Sequence, residues 1–212
     1  MAKTRILVVD DQLVVRQLFE IYLKSREDYE LVALLPSAAQ AEAFVRANPV
    51  DLILMDILMH DGSNGLDAAA AVKSICPSVK IVAITSMVES SWLKRAREIG
   101  IESFYYKEAP QETIFDILDR TVAGESVYPD TPPKVVVGMA WSEEFTEREL
   151  EVLRLMTTGM SNSRIARKLN LAEGTVKNII HGMLEKTGYD NRTELAIEAR
   201  VRGVAVHIET KS

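Results

Sequence analysis

The 212 residues contain one cysteine, Cys76. A lone thiol closes no internal disulfide and is too few for a cysteine zinc site. It points to a passive side chain in a reducing compartment. Glycine (10) and proline (7) are sparse, which excludes a collagen-like or low-complexity chain. No apolar run nears the ~18 residues that a membrane-spanning helix needs. The first residues carry a basic pair, then only four apolar residues, Ile6 to Val9, before two aspartates. That is too short for the core of a signal peptide. A soluble, cytoplasmic protein with no membrane partner is expected. Positive charge is also short overall, with 25 Lys and Arg against 31 Asp and Glu. A wholly basic nucleic-acid coat is excluded; a locally basic reader is not.

Charge and punctuation divide the chain. Residues 1–125 hold 13 basic and 19 acidic residues, and residues 126–212 hold 12 of each. Within 153–186 six cations (Arg154, Arg164, Arg167, Lys168, Lys177, Lys186) face two glutamates, a local surface suited to one anionic partner. Pro129, Pro132 and Pro133 fall between Gly124 and Gly138, and mark a linker over 125–142. Its apolar Val135–Val137 is expected to pack on something.

The first part alternates strand and helix. Short apolar runs at 5–9, 30–35, 50–55, 79–84 and 102–106 read as strands covered on both faces. Between them lie apolar stripes at helical spacing, Val14, Val15, Leu18, Phe19, Tyr22 and Leu23 in one, Trp92, Leu93, Ala96 and Ile99 in another. This is an α/β class: a doubly wound five-stranded parallel sheet, followed by an all-α domain. The second part shows no convincing strand, and helices are expected at 146–158, 161–169, 172–187 and 191–203. Thr146 with Glu149 fits a capping box, and Thr193 is a second start signal. Gly159 and Gly188 sit just past helix ends.

Ligands of an open α/β sheet bind beyond the carboxyl ends of its strands. There Asp10 and Asp11 follow the first strand, Asp56 ends the third, Thr85 the fourth, and Lys107 follows the fifth. One strand-end aspartate is ordinarily a cap or turn residue; five convergent polar groups are not. Packed carboxylates repel unless a cation intervenes, and oxygen ligands suit Mg²⁺, with Mn²⁺ as the alternative. No His or Cys is expected to join them. A carboxylate can also act as a nucleophile toward phosphorus.

Ile-Leu-Val-Val-Asp-Asp-Gln (6–12), Leu-Ile-Leu-Met-Asp-Ile (52–57), Ile-Thr-Ser (84–86) and Tyr-Lys-Glu-Ala-Pro (106–110) resemble the receiver domain of bacterial two-component response regulators, a flavodoxin-like fold. The resemblance implies that Asp56 accepts phosphate from a sensor histidine kinase. It implies Asp10, Asp11, Asp56 and the Leu58 carbonyl as the Mg²⁺ site, and Lys107 as the phosphoryl contact. Thr85 and Phe104 match the family's switch pair; for Phe104 a plain core aromatic is an equal reading. The chain departs from the family at Met59-His60, where Met-Pro is usual, and in a loop, His60–Gly65, one residue longer.

The C-terminal sequence from Phe145 through Arg164-Ile-Ala-Arg-Lys-Leu, Gly174-Thr-Val-Lys-Asn and Asn191-Arg-Thr-Glu-Leu resembles the LuxR-type helix-turn-helix of NarL/FixJ response regulators. In the helix at 172–187, Val176, Ile180, Met183, Leu184 and Thr187 form one face. Lys177, Asn178 and His181 form another, where Lys can donate to guanine or phosphate and Asn can pair with adenine. Thr175 opens that helix. Ser161, Asn162, Ser163, Arg164 and Arg167 open the preceding one and suit backbone phosphates. Leu195, Ala196, Ala199 and Val201 of the last helix either pair two such domains or pack on their own core.

The expectation is therefore a receiver at 1–124, a linker at 125–142 and a LuxR-type DNA-binding domain at 143–212. Phosphorylation of Asp56 would control transcription through DNA binding, by a homodimer, with RNA polymerase as a further partner and no enzymatic turnover. Two rivals stand beside it. One is a constitutive DNA binder with an inert receiver scaffold. The other is a phosphatase resembling the haloacid dehalogenase group, which lacks its second acid because that place is Leu58.

Overall fold

The computed structural model describes residues 3–107 and 113–205. Contacts divide the chain into two compact units, Met1–Ser86 with Ser91–Thr131, and Met87–Ser90 with Pro132–Ser212. No helix among the described residues is long and apolar enough to cross a membrane.

In the first unit, strands β1 (Thr4–Val9), β2 (Tyr29–Leu35), β3 (Leu52–Asp56), β4 (Lys80–Thr85) and β5 (Ser103–Tyr106) alternate with helices α1 (Leu13–Lys24), α2 (Ala41–Ala47), α3 (Gly65–Ile75), α4 (Ser90–Ile99) and α5 (Ile114–Val122). The sheet is wholly parallel, in the order β2-β1-β3-β4-β5. The order reverses direction beside β1, so the β1 and β3 carboxyl ends flank the crevice where such sheets take ligands. Burial on both faces explains the unbroken apolar runs. Ile6, Val8, Leu52, Leu54, Val82 and Ile84 pack with Phe19, Leu23 and Leu118 on one side. Leu7, Val9, Ile53 and Met55 alternate to the other and are equally buried. Truncating such a residue, Leu54→Ala for instance, costs about 2–5 kcal/mol.

The α1 stripe is narrower than the sequence suggests. Phe19 and Leu23 are buried and Val15 and Tyr22 half-buried, but Val14 (75 % exposed) and Leu18 (53 %) lie outside, beside exposed Leu13 and Ile21. A helix on a sheet buries one stripe, and these residues extend beyond it.

The second unit is helical, with α6 (Glu147–Met156), α7 (Asn162–Lys168), α8 (Glu173–Thr187) and α9 (Arg192–Val201). Leu153, Ile165, Val176, Ile180, Met183 and Leu195 fill its core. The Thr146–Glu149 capping box forms, and Gly159 and Gly188 take φ of 80° and 76° past their helices. At α9 the cap is Asn191, whose Oδ1 accepts from the Thr193 and Glu194 amides; Thr193 lies inside the helix.

One expectation fails. The stretch assigned to a linker without strands holds a small antiparallel hairpin, β6 (Val136–Val137) and β7 (Ala140–Trp141). Each strand is two residues long, too short to leave an alternating pattern. The apolar run does pack: Val137 is fully buried, and the Met139 amide donates to the Thr187 carbonyl at 2.9 Å. Gly138 has φ of 62°, and a Cβ there would lie 2.0 Å from that same carbonyl oxygen. Only glycine fits this turn.

Candidate functional site

The acidic site forms where the parallel ladder ends. The amide of Lys107 donates to the Thr85 carbonyl at 2.8 Å, and that of Ile57 to the Ile84 carbonyl at 2.9 Å. These bonds carry the strand register one step beyond the sheet and bring Asp56, Thr85 and Lys107 to one edge. Asp10 follows β1 and its Oδ1 accepts the Gln12 amide at 2.8 Å, opening α1. Asp10 and Asp56 are buried, and the Asp11 side chain is 9 % exposed. One carboxylate oxygen from each of the three lies within 4.8 Å of the others.

Lys107 Nζ donates to Asp10 Oδ2 at 3.1 Å and to Asp56 Oδ2 at 3.2 Å. One ammonium thus faces three carboxylates. Burial, first, pushes the Asp56 pKa up to about 6; Lys107 opposes this, while Asp10 and Asp11 add to it. Burial works against the Lys107 charge, but Asp56 and Asp10 outweigh it and hold the ammonium above its ordinary pKa. Asp11 Oδ1 is buried and has no hydrogen-bond partner among the described residues. A buried carboxylate oxygen without a donor is costly unless a cation meets it. The donor set and this orphaned atom fit a hard divalent cation held by Asp10, Asp11 and Asp56.

The floor of the site depends on close backbone contact. A Cβ on Gly65 would lie 2.0 Å from the Asp56 carbonyl oxygen. The Gly65 amide donates to the Ile57 carbonyl at 2.9 Å, and Leu58 bridges to Asn64 across the loop. Asn64 Oδ1 then caps α3 by accepting the Leu66 amide at 2.8 Å. The long loop of 58–64 is therefore closed at its base, and its tip projects.

That tip adds a contact that the sequence does not signal. No His or Cys joins the converging oxygens among the described residues, but a histidine does touch one member of the group: the His60 amide donates to Asp11 Oδ2 at 2.5 Å, and its ring Nδ1 contacts the same oxygen. Forty-nine residues separate the pair, and no spacing in the sequence signals it. Arg16 was likewise missed; its Nη1 donates to the Asp10 carbonyl at 2.6 Å from the first turns of α1.

Thr85 is buried at the end of β4. The register pairs Ala83 with Phe104 and Thr85 with Tyr106. Thr85 and Phe104 therefore share one face of the sheet as diagonal neighbours. The Phe104 ring is buried, 5.0 Å from the Tyr106 ring and 6.1 Å from that of Tyr128.

The second candidate surface lies on α7 and α8. Thr175, Lys177, Asn178 and His181 are exposed on α8, opposite buried Val176, Ile180 and Met183. Lys177 pairs with Glu173 at 3.3 Å and His181 with Glu185 at 3.4 Å. An exposed lysine–glutamate pair such as Lys177–Glu173 is worth about 0.3–0.5 kcal/mol and exchanges readily for an anionic ligand. Arg164, Arg167 and Lys168 line a shallow basic hollow on α7. Ser161 caps that helix, its Oγ accepting the Arg164 amide at 3.4 Å. Asn162 is half-buried, and its Oδ1 accepts from Arg192, which also donates to the Met160 carbonyl at 2.6 Å. Ile179 packs against the core. In α9, Leu195 and Ala199 belong to that core, while Ile197 and Val201 are exposed.

Comparison with known proteins places each part of the chain in a known family. The response regulator receiver domain family matches residues 6–119, and the luxR family of bacterial regulatory proteins matches residues 143–199. The response regulator protein VraR of Staphylococcus epidermidis is 35 % identical over 205 residues, covering 92 % of this chain and 95 % of that protein. VraR of Staphylococcus aureus is 34 % identical over 203 residues with the same coverage. Among solved structures, RcsB from Salmonella enterica serovar Typhimurium, bound to promoter rprA in the presence of the phosphomimetic BeF3⁻, matches with a TM-score of 0.61 at 20 % identity. It covers 92 % of this chain and 98 % of its own, and shows the shared fold. These families are transcription regulators rather than enzymes. The chain belongs to the two-component response regulators, with a receiver domain followed by a LuxR-type DNA-binding domain.

Proposed function

We propose that Asp56 is the phosphoacceptor and that its phosphorylation by a sensor histidine kinase controls sequence-specific DNA binding by α8. The observation that carries this is the buried Asp56 carboxylate joined through Lys107 to Asp10, beside an Asp11 oxygen with no partner. An Asp56 oxygen attacks phosphorus, the P–O bond forms as the kinase's P–N bond breaks, and the leaving imidazole takes up a proton. Lys107 can shift one hydrogen bond from a carboxylate to a phosphoryl oxygen without leaving the site. Asp10, Asp11, Asp56 and the Leu58 carbonyl would hold Mg²⁺, or Mn²⁺ in its place. When bound, the ion neutralises carboxylate and phosphoryl charge.

Thr85 and Phe104, on one sheet face, form a two-state element biased by the new charge. The phosphorylated state pairs two chains on a two-fold DNA site; exposed Ile197 and Val201 of α9 support that pairing. Lys177, Asn178 and His181 read bases in the major groove. Thr175, Ser161, Arg164 and Arg167 hold phosphates. Asn162 acts through Arg192 more than through DNA. The solved Salmonella relative is described on promoter DNA, which supports duplex DNA as the partner. RNA polymerase is a further partner, the setting is cytoplasmic, and the domains run 1–124 and 143–212 around a linker at 125–142.

Labelling by acetyl phosphate in Mg²⁺ tests the acceptor. Wild type should gain one phosphoryl group by intact mass, and Asp56→Asn none. Equal labelling of the variant would remove Asp56 from the role.

A further inference from the structure

The loop that closes the acidic site carries chemistry that three carboxylates lack. We propose that His60 is an additional metal ligand, whose imidazole nitrogen makes the site favour a nitrogen-accepting divalent ion such as Mn²⁺ or Co²⁺ over Mg²⁺. The inference rests on the reading of Asp10, Asp11 and Asp56 as a metal site.

Three observations carry it. Carboxylate oxygens from Asp10, Asp11 and Asp56 converge within 4.8 Å. The Asp11 side chain is nine-tenths buried, and its Oδ1 has no hydrogen-bond partner among the described residues. The other oxygen of the same carboxylate is met by the His60 amide and by ring Nδ1. The backbone contact anchors the residue at the site; the ring, 87 % exposed, is not packed into the core and can turn about its two side-chain torsions. The ring stands just outside the three converging carboxylates, on Asp11 Oδ2, so ligation requires it to turn from that oxygen toward the ion the same carboxylate would hold.

Ligand type decides the selectivity. Oxygen-only sites suit Mg²⁺, which sheds water reluctantly. Imidazole adds little for Mg²⁺ but strengthens binding of first-row transition ions, in the order Mn²⁺ < Co²⁺ < Ni²⁺. One nitrogen among oxygens therefore changes the ratio of affinities more than the Mg²⁺ affinity itself.

The test uses the full chain stripped with a chelator. Mg²⁺ and Mn²⁺ are titrated by calorimetry into wild type, His60→Ala and Asp11→Asn, and the Mn²⁺ complexes are examined by electron spin-echo envelope modulation. Wild type should prefer Mn²⁺, and His60→Ala should lose on the order of tenfold of that preference while its Mg²⁺ affinity stays within about twofold. A coupling from directly bound ¹⁴N should appear in wild type and vanish in both variants. Binding that Asp11→Asn abolishes but that shows no ¹⁴N coupling would overturn the proposal, as would an equal weakening of both ions in His60→Ala. The latter would make His60 a group that merely positions Asp11. Failure of either ion to bind wild type, or full binding by Asp11→Asn, would instead overturn the metal-site reading beneath it.

Discussion

Ionised Asp56 destabilises the chain that carries it, and replacing it with Asn should make the metal-free protein more stable. The magnitude follows from the site. A carboxyl with an unfolded pKa of about 3.9 is held at about 6 by burial and by Asp10 and Asp11, after Lys107 has opposed them. The gap of about two pH units corresponds to on the order of 3 kcal/mol. The sign is fixed by proton counts. Between about pH 4 and pH 6 the folded state binds more protons than the unfolded one, so stability falls as pH rises through that window. Above it the full cost persists. Asn keeps the shape and removes the charge, and Lys107 keeps a partner in Asp10 at 3.1 Å, so no buried ammonium is orphaned. Urea unfolding in a chelator should give curves for wild type and Asp56→Asn that nearly coincide at pH 4. By pH 7.5 they should separate in favour of Asp56→Asn, by about 1 M or more in midpoint for a urea m-value of about 1–3 kcal/mol/M. Mg²⁺ should close part of the gap, since a ligand at 100 times its Kd stabilises by about 2.7 kcal/mol. A wild type as stable as Asp56→Asn at pH 7.5 without metal would refute the reasoning.

Two further outcomes follow from the geometry. Gly65→Ala puts a Cβ 2.0 Å from the Asp56 carbonyl oxygen, backbone against backbone; it should lower receiver stability by about 2 kcal/mol or more, read from the urea midpoint, and an unchanged midpoint would remove the close approach. Lys177→Ala should weaken binding to a specific duplex by about 1–3 kcal/mol if the lysine reads a base. Loss of about one unit of salt slope with unchanged sequence preference would assign it to phosphate instead, and unchanged anisotropy titrations would move the reading surface off this face.

The sheet was legible because parallel strands are buried on both sides. That demand writes unbroken runs such as Ile6–Val9 and Leu52–Met55, and the observed strands differ from the expected bounds by one or two residues. The polar residues at the ends of four of the five runs mark the candidate site's edge. Helices α6 to α9 were legible through Thr146, Gly159 and Gly188, whose conformations are local. The hairpin at 136–141 was not, because its reason lies in the carbonyl of Thr187, far along the chain. Nor was the exposure of Val14 and Leu18: apolar spacing shows which residues share a helix face, not whether anything covers it. His60 illustrates the same limit at the site. Its neighbours in sequence make an ordinary polar loop, and its chemistry arises from closure of that loop over Asp11.

The charge count at this edge bears on how the two halves of the signal are linked. Lys107 is a single ammonium against three carboxylates, and the incoming phosphoryl group is itself an anion. Without a further cation, each added negative charge raises the cost of the next in a buried setting. A divalent ion reverses the sign, since it is attracted more strongly once the phosphoryl oxygens are present. Binding free energies are reciprocal, so whatever the phosphoryl group adds to ion affinity the ion returns as stability of the phosphorylated state. With Asp56 as the phosphoacceptor and the acidic group as an ion site, the ion held at Asp11 would set part of the equilibrium stability of the phosphorylated state, and the loop from Leu58 to Gly65 would bear on the signal through its contact with Asp11.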